Sequence, residues 1–60
     1  MNRGRPTYTF FRLDRDDLIV ERFEKDCGND AAALEAAETL AGETGIEVWI
    51  GPRKVGQVKY

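Results

Sequence analysis

In the stretch GIEVWIG, Gly45–Gly51, apolar side chains fall on both faces of an extended segment, and this pattern limits where the strand can lie in a sheet. Ile46, Val48 and Ile50 point to one side of such a segment, and Trp49 points to the other. A strand with one solvated face would carry a polar residue where this strand carries a tryptophan. We therefore expect the strand to lie inside a sheet, with its Trp49 side either covered or used for binding.

Two further strands are predicted before this stretch. Residues 8–13 have the sequence YTFFRL, and aromatic and β-branched residues of this kind favour a strand. The acidic cluster DRDD at residues 14–17 is typical of a turn, and residues 18–25 are predicted to form the second strand. Because the turn is short, we expect the two strands to form an antiparallel hairpin.

An alanine-rich helix is predicted to follow over residues 31–43. Asn29 or Asp30 is suited to accept a hydrogen bond from a free N–H group of the first turn, and Gly42 or Gly45 is suited to end the helix. The residues that form one apolar stripe at helical spacing are Ala33, Leu34, Ala37, Leu40 and Ala41. A helix of this length spans about 20 Å, which matches a six-residue strand of about 20 Å. The helix can therefore cover one face of a sheet.

The last strand is predicted over residues 55–60, after a turn at GPRK, residues 51–54, with Pro52 at its first central position. The element order is then ββαββ. Strands 2 and 3 must run parallel because a helix joins them, so strand 1 fits between them and strand 4 lies outside strand 3. We expect an α+β fold, with a four-stranded antiparallel sheet in the order 2-1-3-4 and one helix on one face. The charges on strands 2 and 4 are typical of sheet edges.

The composition predicts one small domain. The chain has 60 residues, and we expect residues 6–60 to form a single α+β domain behind a flexible basic arm at residues 1–5. A core of this size is marginal, so we expect either a well-packed monomer or a chain that is stabilised by self-association. The formal charge of −2 is too balanced to predict a nucleic-acid partner. No apolar run predicts a signal peptide or a membrane span, and the lone Cys27 fits a reducing compartment. These features predict a cytoplasmic protein.

No catalytic, metal or cofactor site is predicted. The chain lacks histidine and serine, which excludes most kinds of catalytic triad. Cys27 has no neighbouring base or second cysteine, and we expect it to be a small buried apolar residue. Asp14, Asp16 and Asp17 fit a solvated hairpin turn better than a calcium loop, which needs about five or more spaced oxygen ligands and a glycine turn. We therefore expect a protein that is not an enzyme and that uses no cofactor.

The sheet face that the helix leaves uncovered is the predicted functional surface. Two sets of strand-1 residues could lie under the helix: Tyr8 with Phe10, or Phe11 with Leu13. The other set is expected to join Trp49 and Glu47 on the uncovered face. The predicted interaction residues are Trp49, Glu47, Phe10, Tyr8, Arg53 and Tyr60.

Two functions fit this surface. The first is a protein-interaction module, with a homodimer through the Trp49 face as one form, because sheet packing buries aromatic residues well and two-fold dimers are the commonest oligomers. The alternative is weak binding of single-stranded nucleic acid, with bases stacked on Trp49 and the strand-1 aromatic residues. The cations for this alternative would be Arg3, Arg5, Arg53, Lys54 and Lys59. Glu47 beside Trp49 and the acidic helix disfavour it. No membrane or small-molecule partner is implied.

The run DAAALEAAETLAGETGIEVWIGPRKV, residues 30–55, resembles a group of short uncharacterised bacterial proteins. In that group an acidic N-cap precedes an alanine-rich helix, and an E-V-W strand then leads to a tight turn with a basic residue. The matching residues are Asp30, Ala33, Ala37, Glu47, Val48, Trp49, Gly51 and Arg53. The Gly51-Pro52 turn and the basic arm depart from the pattern. The resemblance implies a small α+β fold in a bacterial protein and implies no activity.

Overall fold

The computed structural model describes residues 6–59, so the predicted basic arm and the candidate residue Tyr60 lie outside the described residues. The elements are β1 (Thr7–Leu13), β2 (Ile19–Asp26), α1 (Asp30–Leu40), β3 (Gly45–Ile50) and β4 (Arg53–Lys59). The four strands form one sheet in the order β2-β1-β3-β4, and every neighbouring pair is antiparallel. The helix packs on one face of the sheet, chiefly over β3 and β4. The predicted ββαββ fold and strand order 2-1-3-4 are confirmed.

The turn between β1 and β2 is organised by Asp14. Its carboxylate Oδ1 accepts hydrogen bonds from the backbone N–H groups of Asp16 and Leu18, at 2.8 and 3.0 Å. The backbone N–H of Asp14 donates to the Leu18 carbonyl at 2.9 Å, which closes the loop. Asp17 has a φ of 63°, a conformation that aspartate tolerates better than most residues. The acidic cluster therefore builds the hairpin turn that joins the two strands.

The helix begins at Asp30, one residue before the predicted start, and ends earlier than predicted. Asn29 is the N-cap, and its side chain accepts a hydrogen bond from the Ala32 N–H at 2.8 Å. The helix ends at Leu40 rather than at Glu43, because the chain turns away at Gly42, which has a φ of 69°. The stripe positions that are completely buried against the sheet are Ala33, Ala37 and Ala41. These small side chains let the helix lie close to the strands.

The turn between β3 and β4 differs from the prediction. Ile50 pairs with Arg53, so the turn contains only Gly51 and Pro52. Gly51, with a φ of 56°, takes the first central position, and Pro52 takes the second. This order suits a type II′ hairpin turn, because proline fixes a negative φ and glycine accepts a positive one. The predicted placement of Pro52 was therefore wrong, and β4 begins at Arg53 rather than at Val55.

The core lies between the helix and the even-numbered residues of β1 and β3. Tyr8 and Phe10 are 1% and 0% exposed, and they pack with Ile46 and Val48 beneath the helix. Phe23 of β2 stacks on Phe10, with ring centroids 5.5 Å apart. Of the two sets considered for strand 1, Tyr8 and Phe10 are therefore the set that the helix covers.

Candidate interaction surface

The face opposite the helix is built by the pairing of the two central strands. Thr9 lies opposite Trp49, and Phe11 lies opposite Glu47. Because side chains alternate along a strand, these four residues share the face that the helix does not cover. They form part of an open depression with a volume of about 520 Å³, whose lining residues include Thr9, Phe11, Ile19, Arg22, Glu47 and Trp49. This depression, together with the charged residues around it, is called the open face below.

Trp49 is half-buried on the open face, and its indole N–H is hydrogen-bonded within the chain. The indole Nε1–H donates to Glu47 Oε1 at 3.0 Å. The other oxygen of that carboxylate, Oε2, lies 3.6 Å from the Lys54 ammonium. A partner can therefore cover the indole rings without leaving a buried N–H donor unpaired, which would be costly. Of the predicted interaction residues, Glu47 and Trp49 lie together on the open face.

The structure corrects the placement of Tyr8 and Phe10. Both were predicted to contribute to the interaction surface, and both lie in the core on the helix side of the sheet. Phe11 occupies the aromatic position on the open face instead. Leu13, the other member of its set, is only 2% exposed and lies next to a shift in register after Arg12. Phe11 is therefore the β1 aromatic residue that can meet a partner.

Arg53 lies on the helix side of the sheet, away from Trp49. Its guanidinium contacts both carboxylate oxygens of Asp30, at 3.2 and 3.4 Å. The same carboxylate accepts a hydrogen bond of 2.7 Å from the Tyr8 hydroxyl. The predicted grouping of Arg53 with Trp49 was therefore wrong, because Asp30 at the start of α1 holds the guanidinium on the other side.

The hydrogen bonds of this cluster shift two pKa values in opposite directions. The bond to Asp30 raises the pKa of Tyr8, and burial raises it further. The bonds that Asp30 accepts, first from Tyr8 and then from Arg53, lower the pKa of the Asp30 carboxyl. The sequence identified Asp30 only as a candidate helix cap. Its hydrogen bond with Tyr8 becomes visible only when the arrangement of the strands and the helix is known.

The rim of the open face carries charges of both signs. On β2, Arg22 pairs with Glu24 at 3.1 Å. On β4, the Lys54 ammonium also contacts the Gln57 side chain at 3.1 Å. Lys59 pairs with Asp17 at 3.2 Å, near the hairpin turn. The cations predicted for nucleic-acid binding are thus divided: Arg53 lies across the sheet, and Arg3 and Arg5 lie outside the described residues.

Cys27 is 6% exposed and belongs to the core cluster with Tyr8 and Ala33. Over residues 6–59, no three histidine, cysteine, aspartate or glutamate side chains are grouped so that they could hold a metal ion. Among the helices described in that range, none has the length and apolar character needed to cross a membrane.

Comparison with known proteins identifies no relative. No protein-family model matches the chain, and neither a curated protein nor a solved structure matches it significantly. The resemblance to short bacterial proteins therefore stays a prediction.

Proposed function

We propose that this protein is a small non-enzymatic interaction module that binds a protein chain through the open face, with a second copy of itself as the partner. The observation that carries the proposal is that Trp49 and Phe11, diagonal to each other across the β1–β3 pair, line one depression on the side of the sheet that the helix does not cover. Exposed aromatic residues surrounded by charged groups are typical of protein interfaces.

Two physical arguments support a second copy as the partner. A chain of 60 residues has a small core, and covering the second face of its sheet would bury additional apolar surface. Two sheets pack face to face about 10 Å apart, and a two-fold axis lets the same patch serve both partners. In such a pair the indole of Trp49 would be covered while its N–H stays bonded to Glu47.

The proposal is tested by light scattering over a wide range of protein concentration. We expect the mass of the wild-type chain to rise above that of a monomer with increasing concentration. Trp49→Ala and Phe11→Ala should each weaken the association by about tenfold or more, because aromatic residues at the centre of an interface carry much of its binding energy. Thr39→Ala, on the exposed side of α1, is the control and should change nothing. A single-chain mass at all concentrations, or association that Trp49→Ala leaves unchanged, would contradict the proposal.

A further inference from the structure

The strand β2 is an edge of the sheet, and its outer backbone groups face solvent. A hydrogen bond at the open end of the hairpin shows which β2 backbone groups point toward β1. There the Cys27 N–H donates to the Pro6 carbonyl at 3.2 Å. Pro6 and Cys27 continue the register in which Thr7 lies opposite Asp26. Hydrogen-bonded and non-bonded pairs alternate along an antiparallel ladder.

This alternation decides which β2 groups are available to another strand. Phe23 pairs with Phe10 at a hydrogen-bonded position, so its N–H and C=O point toward β1. The N–H and C=O groups of the next residues on either side, Arg22 and Glu24, point outward. An incoming antiparallel strand can therefore form backbone hydrogen bonds with both of them.

The side chains of β2 are complementary to a second copy of the same strand. The central sequence is ERFEK, residues 21–25. When two copies run antiparallel around a two-fold axis at Phe23, Glu21 of one copy lies opposite Lys25 of the other. Arg22 likewise lies opposite Glu24, and the two Phe23 residues face each other. Every charged residue of this segment then meets a charge of opposite sign, which stabilises cross-strand pairs.

Other registers bring like charges together. A slip of one position places Glu21 opposite Glu24, or Arg22 opposite Lys25. A slip of two positions places two Arg22 residues, or two Glu24 residues, opposite each other. Like charges directly opposite each other destabilise a strand pair. The charges that protect this edge from unrelated strands therefore permit the self-pairing register centred on Phe23.

The side chains of β2 on both faces of the sheet are compatible with the register centred on Phe23. Phe23 is half-buried and stacks on Phe10 on the helix side, where α1 lies mainly over β3 and β4. In the paired strands Phe23 would occupy a non-bonded position, where Cα atoms are only about 4.5 Å apart, so the two rings would cover each other. On the open face, the existing Arg22–Glu24 pair would join its symmetry mate in a group of four alternating charges.

From these observations we propose that two copies of the chain pair through β2, antiparallel and centred on Phe23, to form one continuous eight-stranded sheet. The two-fold axis is perpendicular to the sheet, so both helices lie on one side and both open faces lie on the other. The pairing is separate from the contact proposed above, because Trp49 lies on β3 and takes no part in it.

The test uses charge reversals in a Trp49→Ala background, in which association through the open face is weakened. Lys25→Glu and Glu21→Lys should each weaken dimer formation by about tenfold or more, because each reversal creates two repulsive pairs across the axis. The double variant Glu21→Lys/Lys25→Glu should dimerise like the parent. An equimolar mixture of the two single variants should form heterodimers. Arg15→Glu, in the exposed hairpin turn, is the charge-matched control for Lys25→Glu and should have no effect.

Circular dichroism verifies that each variant is folded, which matters for Glu21→Lys because Glu21 also pairs with Arg12. A parent that stays a single chain at all concentrations, or a Lys25→Glu variant that dimerises as tightly as the parent, would overturn the β2 pairing. So would a folded double variant that fails to recover dimerisation. Association through the open face is measured separately by introducing Trp49→Ala and Phe11→Ala into the Lys25→Glu chain. Either proposal can therefore fail without the other.

Discussion

The hydroxyl of Tyr8 donates a 2.7 Å hydrogen bond to the carboxylate of Asp30, which joins the first strand to the first residue of the helix. The bond spans 22 residues of sequence and crosses from the sheet to the layer above it. Arg53 contacts the same carboxylate from the start of β4. Three elements are therefore held at one end of the domain by a single acidic side chain. Its negative charge also interacts favourably with the positive, N-terminal end of the helix dipole.

Acidification should weaken this connection in a defined pH range. Because the pKa of Asp30 is lower in the folded chain than its ordinary value of 3.8, its ionised form stabilises the fold above that value. This contribution is lost as the pH falls below 3.8 and through the folded pKa. Urea unfolding of Asp30→Asn should therefore show a smaller loss of stability than the wild type over this range. Equal losses in the two proteins would show that Asp30 does not carry the effect.

Two adjacent aromatic residues on β1 should respond very differently to substitution. Phe10 is completely buried under the helix, so Phe10→Ala should cost about 3–5 kcal/mol of unfolding free energy. Phe11 is half-buried on the open face, and Phe11→Ala should cost the monomer about 1 kcal/mol. Denaturant unfolding at low protein concentration measures both. Equal costs would mean that the two faces of β1 are equally covered.

Gly45, at the start of β3, should not tolerate a side chain. Its φ is 134°, and a Cβ atom there would lie 2.7 Å from the backbone oxygen of Val58. We expect Gly45→Ala to cost more than about 2 kcal/mol, from backbone strain together with the steric clash. Gly28→Ala is the matched control, because a Cβ atom at Gly28 meets nothing within 4 Å. Thermal unfolding of the two variants should separate them clearly, and similar midpoints would contradict the close approach of β3 and β4.

Single-stranded nucleic acid should not bind the open face. Arg53 is held by Asp30 across the sheet, and the cations on the rim, Arg22, Lys54 and Lys59, each pair with a carboxylate, so the charge beside the aromatic residues is already neutralised. Titration with a single-stranded oligonucleotide at low salt, where phosphate contacts are strongest, should leave the Trp49 fluorescence unchanged. Saturable quenching that disappears on raising the salt concentration would support the nucleic-acid alternative.

The sequence predicted the strand order because several independent constraints agreed. The short acidic turn required a hairpin, and the amphipathic helix required a crossover between parallel strands. The charges on strands 2 and 4 indicated that these two strands are the edges, which leaves the strands containing Phe10 and Val48 at the centre. These features depend on local periodicity and on connection length, both of which can be read from a single chain.

The composition of the open face could not be predicted in the same way. The β1 strand carries aromatic residues on both sides, so alternation alone does not tell Phe10 from Phe11. Pairing of Phe10 with Val48 makes that choice, and it depends on the sheet register. The position of Arg53 depends on a turn two residues shorter than predicted and on capture of its side chain by Asp30.

The emission spectrum of Trp49 during dilution shows whether the open face, which is uncovered in one chain, is covered by a partner at high concentration. Trp49 is the only tryptophan, so the signal reports this face alone. We predict blue-shifted emission at high concentration and a shift to the red, with greater acrylamide quenching, as the associated chains separate. Emission that stays the same from the concentrated protein to the fully dissociated chain would show that no partner covers the open face.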